Sequence, residues 1–448
     1  MSKRFVVTII SICVLCAVFY FLGVMAGKQP LVNYGIVDNN GKTVVPIKYG
    51  ATGFVEHNKF FVKKDIKNYI YDKETKTLTP IEYDGITKVN DNLYFVIKGG
   101  KIGFVDKNYK ILVPIQFLNM NVYKNLIQVS KKDKDSHIFD LNGKELFKTN
   151  DYYIYFYNNN LTLAKPANNE DKYIVLDTKG KKVATLDYED VRNFSEGLAT
   201  FKQNGKWGVM DMNFKEVLPP IYKSIGSFEH GYAIISNDAK PFTKERKTGV
   251  IDKTGKIIIP MEYMSIRHFS DGFFVVNNGR TNQYFDVNGK KAISKSYLNA
   301  TPFSEGLAAV GDISKRGFID KTGKEVIPFI YKDTRDFHNG YAVVAKEDNS
   351  FMGKKVDNFM NDNASEEFNN INSLAKYGVI DKTGKEVIPL KYDFVIDENL
   401  EHAAYFPFDN SPKEKNNYFV VGKINKFAIF GRLMGFKNYA DRDPLYYL

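Results

Sequence analysis

Residues 377–389 read YGVIDKTGKEVIP, and residues 316–328 read RGFIDKTGKEVIP. In both stretches apolar residues alternate up to an Asp, a Gly follows three positions later, and a second β-branched run leads into Pro. Alternation with period two marks a strand with one buried face. Asp opens a turn by accepting hydrogen bonds from the backbone just beyond it, and Gly supplies the positive φ that the turn needs. Each stretch is therefore a β-hairpin, with Asp381 and Gly384, or Asp320 and Gly323, at its turn. Asp252 and Gly255 hold the same places in a third copy. Pro389 and Pro328 are expected to end the second strand, because proline cannot donate to a ladder.

Working outward, the Asp recurs at Asp38, Asp72, Asp106, Asp140, Asp177, Asp211, Asp252, Asp286, Asp320 and Asp381. Six of the nine intervals are 34 residues, and the others are 37, 41 and 61. The long intervals contain polar insertions at 165–172, 238–248 and 346–376. Such regularity is a tandem array. The other half of each unit is an F-x-x-G stretch, as in 194–197, 228–231, 269–272, 303–306 and 337–340, with Asn58, Asn92 and Asn160 replacing Gly earlier. Gly and Asn tolerate the left-handed region, so this is a second turn. The fold class expected is all-β: about ten units of roughly 34 residues, each of three or four short antiparallel strands, burying their apolar faces against their neighbours. Ten copies exceed the roughly four to eight blades of a typical propeller. An open twisted array, or two closed groups, is therefore expected ahead of one propeller-like ring.

The amino terminus is of a different kind. Lys3 and Arg4 precede an uncharged, mostly apolar run at residues 5–26. A helix of that length reaches about 33 Å, enough to cross a hydrocarbon core of about 30 Å. The positive-inside rule leaves residues 1–4 in the cytoplasm and the remainder outside. An uncleaved signal anchor is expected; the alternative is a signal peptide cleaved after Ala26, which would release the body. Cys13 and Cys16, the only cysteines, fall inside this run and read as small hydrophobes in the span. The domain plan is a stub at 1–4, the span at 5–26, the array at 28–395 with its insertion at 346–376, and a degenerate last repeat and cap at 396–448. Residues 418–430 are read as a half-unit.

The copy Lys206-Trp207-Gly208-Val209-Met210-Asp211, with F-S-E-G-L-A at 194–199 and L-P-P-x-Y at 218–222, resembles the WG-repeat (KWG-repeat) family. The likeness covers about residues 33–395. It implies a repetitive, β-rich bacterial protein, often of the cell envelope, with no catalytic activity attached to the repeat. The chain departs from the family in having one Trp, with Tyr34, Tyr69, Tyr173 and Tyr377, or Ile102, Thr248 and Arg316, elsewhere at that position.

A calcium ladder on the Asp anchors needs further carboxylates in each loop, and here Lys follows the Asp in five copies; the anchors read as turn caps. Glu196 and Glu305 share a position with His230, Asp271 and Asn339 and read as polar turn residues, not a catalytic pair. The six histidines have no zinc-ligand spacing. No catalytic residue, metal or cofactor is assigned, and the protein is expected not to be an enzyme. The formal charge is +11, or +9 once Lys3 and Arg4 are set aside, spread through the repeats. An exported body argues against nucleic acid and leaves an anionic polymer, lipid heads or an envelope protein as partner. The function expected is a non-catalytic binding or scaffolding protein of the cell envelope, with a carbohydrate-binding or enzyme-accessory role as the alternative.

Overall fold

The computed structural model describes residues 32–424, apart from 57, 124–125, 132–134, 157–160, 168–171, 193, 238–246, 349–374 and 398–417. The span at 5–26, Cys13 and Cys16, most of the three insertions, and residues 425–448 lie outside the described residues. Among the described residues every regular element is a strand, and no helix is long and apolar enough to cross a membrane.

The strands form ten separate antiparallel sheets, nine of four strands and one of three. Eight of them take four strands in chain order, so each is a simple meander. Numbered along the chain, blade 1 joins both ends of the described chain, and blades 2–10 begin at Ala51, Gly85, Asn119, Tyr152, Asp190, Ser224, Ser265, Asn299 and Asp333. Blade 9 is representative: Asn299–Ala300, Leu307–Gly311, Arg316–Asp320 and Glu325–Tyr331. Its F-S-E-G stretch turns between the first and second strands, and its D-K-T-G stretch turns between the third and fourth. Both turns therefore lie on one face of the molecule. The second-to-third connections and the links between blades lie on the other.

Ten buried clusters fill the gaps between successive sheets, one per gap. Trp207, Val209 and Leu218 of blade 6 meet Ile225, Phe228 and Ile251 of blade 7. Phe318 and Ile327 of blade 9 meet Phe337 and Val344 of blade 10. The last gap closes the ring, because Val379 and Ile388 of blade 10 pack on Val37, Phe419 and Val421 of blade 1. The array is thus one ten-bladed propeller. The count of ten favours an open array or two closed groups, and that expectation is corrected: the ten gaps close one circle.

Blade 1 is the closure. The chain's first described strands, Val32–Asp38 and Thr43–Tyr49, supply its outer half. Phe394–Asp397 and Tyr418–Ile424 supply its inner half. Val32–Asp38 pairs with Tyr418–Ile424 over seven residues without a register break, from Val32 opposite Ile424 to Asp38 opposite Tyr418. The half-unit read at 418–430 is this inner strand as far as Ile424.

A second correction concerns proline. Pro46, Pro114, Pro219, Pro260, Pro328 and Pro389 lie inside their fourth strands and do not end them. In these six blades the register jumps beside the proline, for example between Arg316–Tyr331 and Phe318–Ile327. The residue facing that bulge is always Gly: Gly35, Gly103, Gly208, Gly249, Gly317 or Gly378. A Cβ at Gly35, Gly103, Gly208, Gly249 or Gly378 would stand 2.5–2.8 Å from the carbonyl oxygen of the residue before the proline, and Gly317 is closer still. Blades 2, 4 and 5 carry Tyr69, His137 and Ile174 there, and pair residue for residue at that point; Tyr69, three residues before Asp72, thus holds the Gly position and Asn68 the Trp position. The Gly of the W-G pair thus exists for close backbone approach at a bulge.

Replacing Gly208 by Ala should destabilise the ring by about 1–3 kcal/mol through overpacking. Gly226, where an added Cβ meets nothing nearer than 3.6 Å, should tolerate Ala within roughly 0.5 kcal/mol. Denaturant unfolding of the two variants checks the contrast, and equal losses would refute the bulge account.

Candidate functional site

The turn face is built from two rows of hairpin ends. In the third-to-fourth-strand row, each Asp anchor accepts hydrogen bonds from its own turn. Asp211 Oδ1 takes the N–H of Asn213 and of Lys215, both at 2.9 Å. Asp252, Asp320 and Asp381 each take two backbone N–H groups and the Thr hydroxyl two residues on, at 2.6 Å. Gly255, Gly323 and Gly384 follow at φ of 84–86°. Backbone N–H groups hold the Asp177 and Asp286 carboxyls below their ordinary range. The Thr hydroxyls do the same, with backbone help, for Asp320 and Asp381.

The first-to-second-strand row does something the sequence reading missed. Glu196, His230, Asp271, Glu305 and Asn339 all have positive φ near 50°, and each precedes a Gly that is also positive. The acidic members reach into the next blade. Glu196 accepts the N–H groups of His230 and Gly231 at 2.6 and 2.9 Å and pairs with Lys253 at 3.0 Å. Asp271 accepts from Gly306 and pairs with Lys321, both at 2.5 Å. Glu305 accepts from Gly340 at 2.9 Å and pairs with Lys382 at 3.0 Å. Beside them, Ser195, Ser270 and Ser304 donate to the carbonyls of Phe228, Phe303 and Phe337, each 33 residues ahead. The F-S-E-G stretch is therefore an interblade clamp: Phe fills the core, Ser and the carboxylate bind the next blade.

Trp207 is buried, with the Arg192 guanidinium 4.0 Å above its ring and bonded on to the Ile225 carbonyl. It packs the gap between blades 6 and 7 and offers no ring to a ligand. Asp336 of blade 10 stands apart, since burial pushes its carboxyl up, against opposing pulls from Thr301, Arg267 and Arg335. One of its oxygens is buried without a hydrogen-bond partner in the structure. Among the described residues no three His, Cys, Asp or Glu side chains converge as metal ligands.

The opposite face has another character. Every blade brings a cation to its second-to-third-strand side, among them Lys64 and Lys67, Lys101, Lys206, Arg280 and Lys315, all exposed. The insertions at 165–172, 238–248 and 346–376 all interrupt this same connection, in blades 5, 7 and 10. Isoleucines stand at two of its tips: Ile66 is 78% exposed and Ile313 is 91% exposed. The sequence signal for this face was the insertion pattern, which became legible once the strand order was known.

A family model described as WG containing repeat matches residues 34–67, 70–101, 175–207, 207–240, 249–280, 284–311, 317–349 and 377–399. No curated protein matches the chain. Similar solved structures include a eukaryotic initiation factor, at 10% identity and a TM-score of 0.46, covering 74% of this chain and 95% of that one. The computationally designed Ika8 protein matches at 14% identity and 0.33, covering 65% and 91%. BamB from Moraxella catarrhalis matches at 11% and 0.30, covering 66% and 93%. Likenesses this distant carry no functional argument.

The clamps make a prediction about acid. Burial alone would raise the Glu305 carboxyl, but Lys382 and the Gly340 N–H pull it below its ordinary value. A carboxyl depressed on folding contributes stability above its unfolded pKa of about 4.3, and that stability is lost as pH falls through the lower folded value. Glu305→Gln should cost about 1 kcal/mol at pH 7, the clamp being partly screened by solvent. It should also flatten the fall of the melting temperature below about pH 4.5. An unchanged acid limb would show that the clamp contributes nothing.

Proposed function

This chain belongs to the WG-repeat family, and we propose that it is a non-catalytic binding scaffold of the cell envelope. It is held by residues 5–26 with the propeller outside the cytoplasm, and released if the segment is cleaved after Ala26. The observation that carries this reading is the division of labour between the two faces. On the turn face the recurring carboxylates, hydroxyls and Asp anchors are engaged in turn caps and interblade bonds. On the other face the connections vary in length and take all three insertions, the arrangement expected of a binding surface on a rigid frame; exposed cations line both faces, since a Lys also stands four residues after every Asp anchor. The partner this charge suits is an anionic envelope component or an acidic protein surface.

The carbohydrate reading has less support. A sugar-binding face presents a row of aromatic rings, whereas among the described residues only Tyr109 and Tyr155 are exposed aromatics, and they belong to different blades.

Affinity capture of envelope fractions by the full chain tests the scaffold. Capture should occur at low salt and weaken at high salt, since exposed charges are screened within about 10 Å at 0.1 M. Replacing Lys64, Lys67, Lys206 and Lys315 by Glu should abolish it. Capture indifferent to salt and to these changes would remove the charge-driven reading.

A further inference from the structure

Where the chain enters and leaves the ring fixes its orientation. Val32 lies opposite Ile424 at one end of the closing strand pair, and Asp38, at the other end, belongs to the turn face. Residues 1–31 and 425–448 therefore both depart from the face of the second-to-third-strand connections, at blade 1. Only residues 27–31 separate the apolar run at 5–26 from Val32. Five residues span at most about 18 Å when fully extended. If residues 5–26 lie in a bilayer, this face at blade 1 is held against the membrane surface. The departing C-terminal residues sharpen the point, for they mix Lys426, Arg432 and Lys437 with Phe427, Phe430 and Phe436.

Four of the exposed aliphatics lie on this face within about a quarter-turn of blade 1, while others, such as Ile221 and Ile257, belong to blades 6 and 7. Ile66 is on blade 2, beside blade 1, and Ile313 is on blade 9, two blades away on the other side. Both sit at second-to-third-strand tips. Leu118 and Leu298, 54% and 53% exposed, lie in the links after blades 3 and 8, on the same face. Ile313 is held outward by a turn whose polar groups are satisfied internally. Asp312 Oδ1 accepts from the N–H and hydroxyl of Ser314 and from the N–H of Lys315, at 2.7–2.8 Å. Lone exposed aliphatics are ordinary on soluble surfaces. Here they flank the exit of an apolar segment and stand among lysines, the pairing that suits a surface of anionic headgroups over acyl chains.

We propose that the propeller seats its blade-1 side on an anionic bilayer, with Ile66, Leu118, Leu298 and Ile313 entering the interface and the surrounding lysines meeting headgroups. The seating rests on the anchor reading of residues 5–26 and names the anionic partner as the membrane itself. The clamp and Asp-turn face then points away from the bilayer.

The test uses the full chain with Cys13 and Cys16 replaced by Ser, since the sequence holds no other cysteine. Single labels are placed through Ile66→Cys, Ile313→Cys and, on the opposite face of blade 10, Lys385→Cys. Each protein is reconstituted with vesicles of phosphatidylcholine alone or mixed with phosphatidylglycerol, carrying a nitroxide-labelled lipid. Flotation reports the anchor and quenching reports the face. Labels at 66 and 313 should be quenched at least about twofold more than the label at 385 in the anionic vesicles, and less in neutral ones. Flotation with equal quenching at all three positions, or with none, overturns the seating and leaves the anchor standing; in the second case the face is left to a protein partner. Equal quenching in neutral vesicles overturns the choice of an anionic surface. A chain that does not float removes the anchor, and the seating with it.

Discussion

The pairing of Val32–Asp38 with Tyr418–Ile424 is the contact on which the ring depends. Each blade buries both its faces only if it has a neighbour on either side, so an open array would leave two apolar faces in water. Closing a loop that spans nearly the whole chain costs roughly 5 kcal/mol beyond a constant, because the penalty grows only with the logarithm of length. Ile36, Val37, Val420 and Val421 are at most 2% exposed, and burying each contributes about 1.5–3 kcal/mol. The seam therefore offsets its own entropy even before the gaps on either side of blade 1 are filled. Sharing one blade between the two ends also removes both open edges, where an incomplete sheet would invite pairing with another chain.

Within the ring, the repeat works because each unit is specified partly by the next. The Phe of the F-x-x-G stretch packs in the gap, buried at Phe228, Phe303 and Phe337 and half-buried at Phe194 and Phe269; the Ser binds the following blade's carbonyl, and the carboxylate binds its turn. The partner lysine follows the Asp anchor of that following blade. The sequence bears this out internally: Glu196, Asp271 and Glu305 are matched by Lys253, Lys321 and Lys382, whereas His230 and Asn339 are matched by Val287 and Asn39. Asn39 instead donates to the Tyr341 hydroxyl at 3.1 Å across the seam. Across these five turns acid and base appear together or not at all; in the earlier repeats the match lapses, with Asp91 set against Leu141.

Much of this was open to reading. Period, strand count, the Asp caps and both positive-φ turns follow from local chemistry, which a single repeat displays. The bulge was hidden, because Pro328 in a strand looks like a terminator until the facing Gly317 is seen to make room for it. The clamp was hidden for a related reason. A position that holds Glu, His, Asp or Asn looks permissive when viewed alone, and its constraint lies 57 residues away in Lys253 or 77 away in Lys382. Closure was the least legible, since nothing near residue 32 announces a partner near residue 420.

The same constraints decide where the protein can vary. Insertions at the turn face would break a positive-φ pair and, with it, bonds to the adjacent blade, so that face repeats its residues. The second-to-third connection takes part in no clamp, and three insertions open there. The one long interruption on the turn face, 398–417, falls in blade 1 between its two inner strands. There no F-S-E-G stretch is present, and the neighbouring contact is the longer His338–Asp397 pair at 3.5 Å. The clamp row is thus absent at the seam, as it is in blades 2–5, where no F-S-E-G stretch occurs. Variation concentrated on one face, with both chain ends leaving from it, means that whatever distinguishes this protein from a bare ring is presented on the side that the amino-terminal segment reaches first.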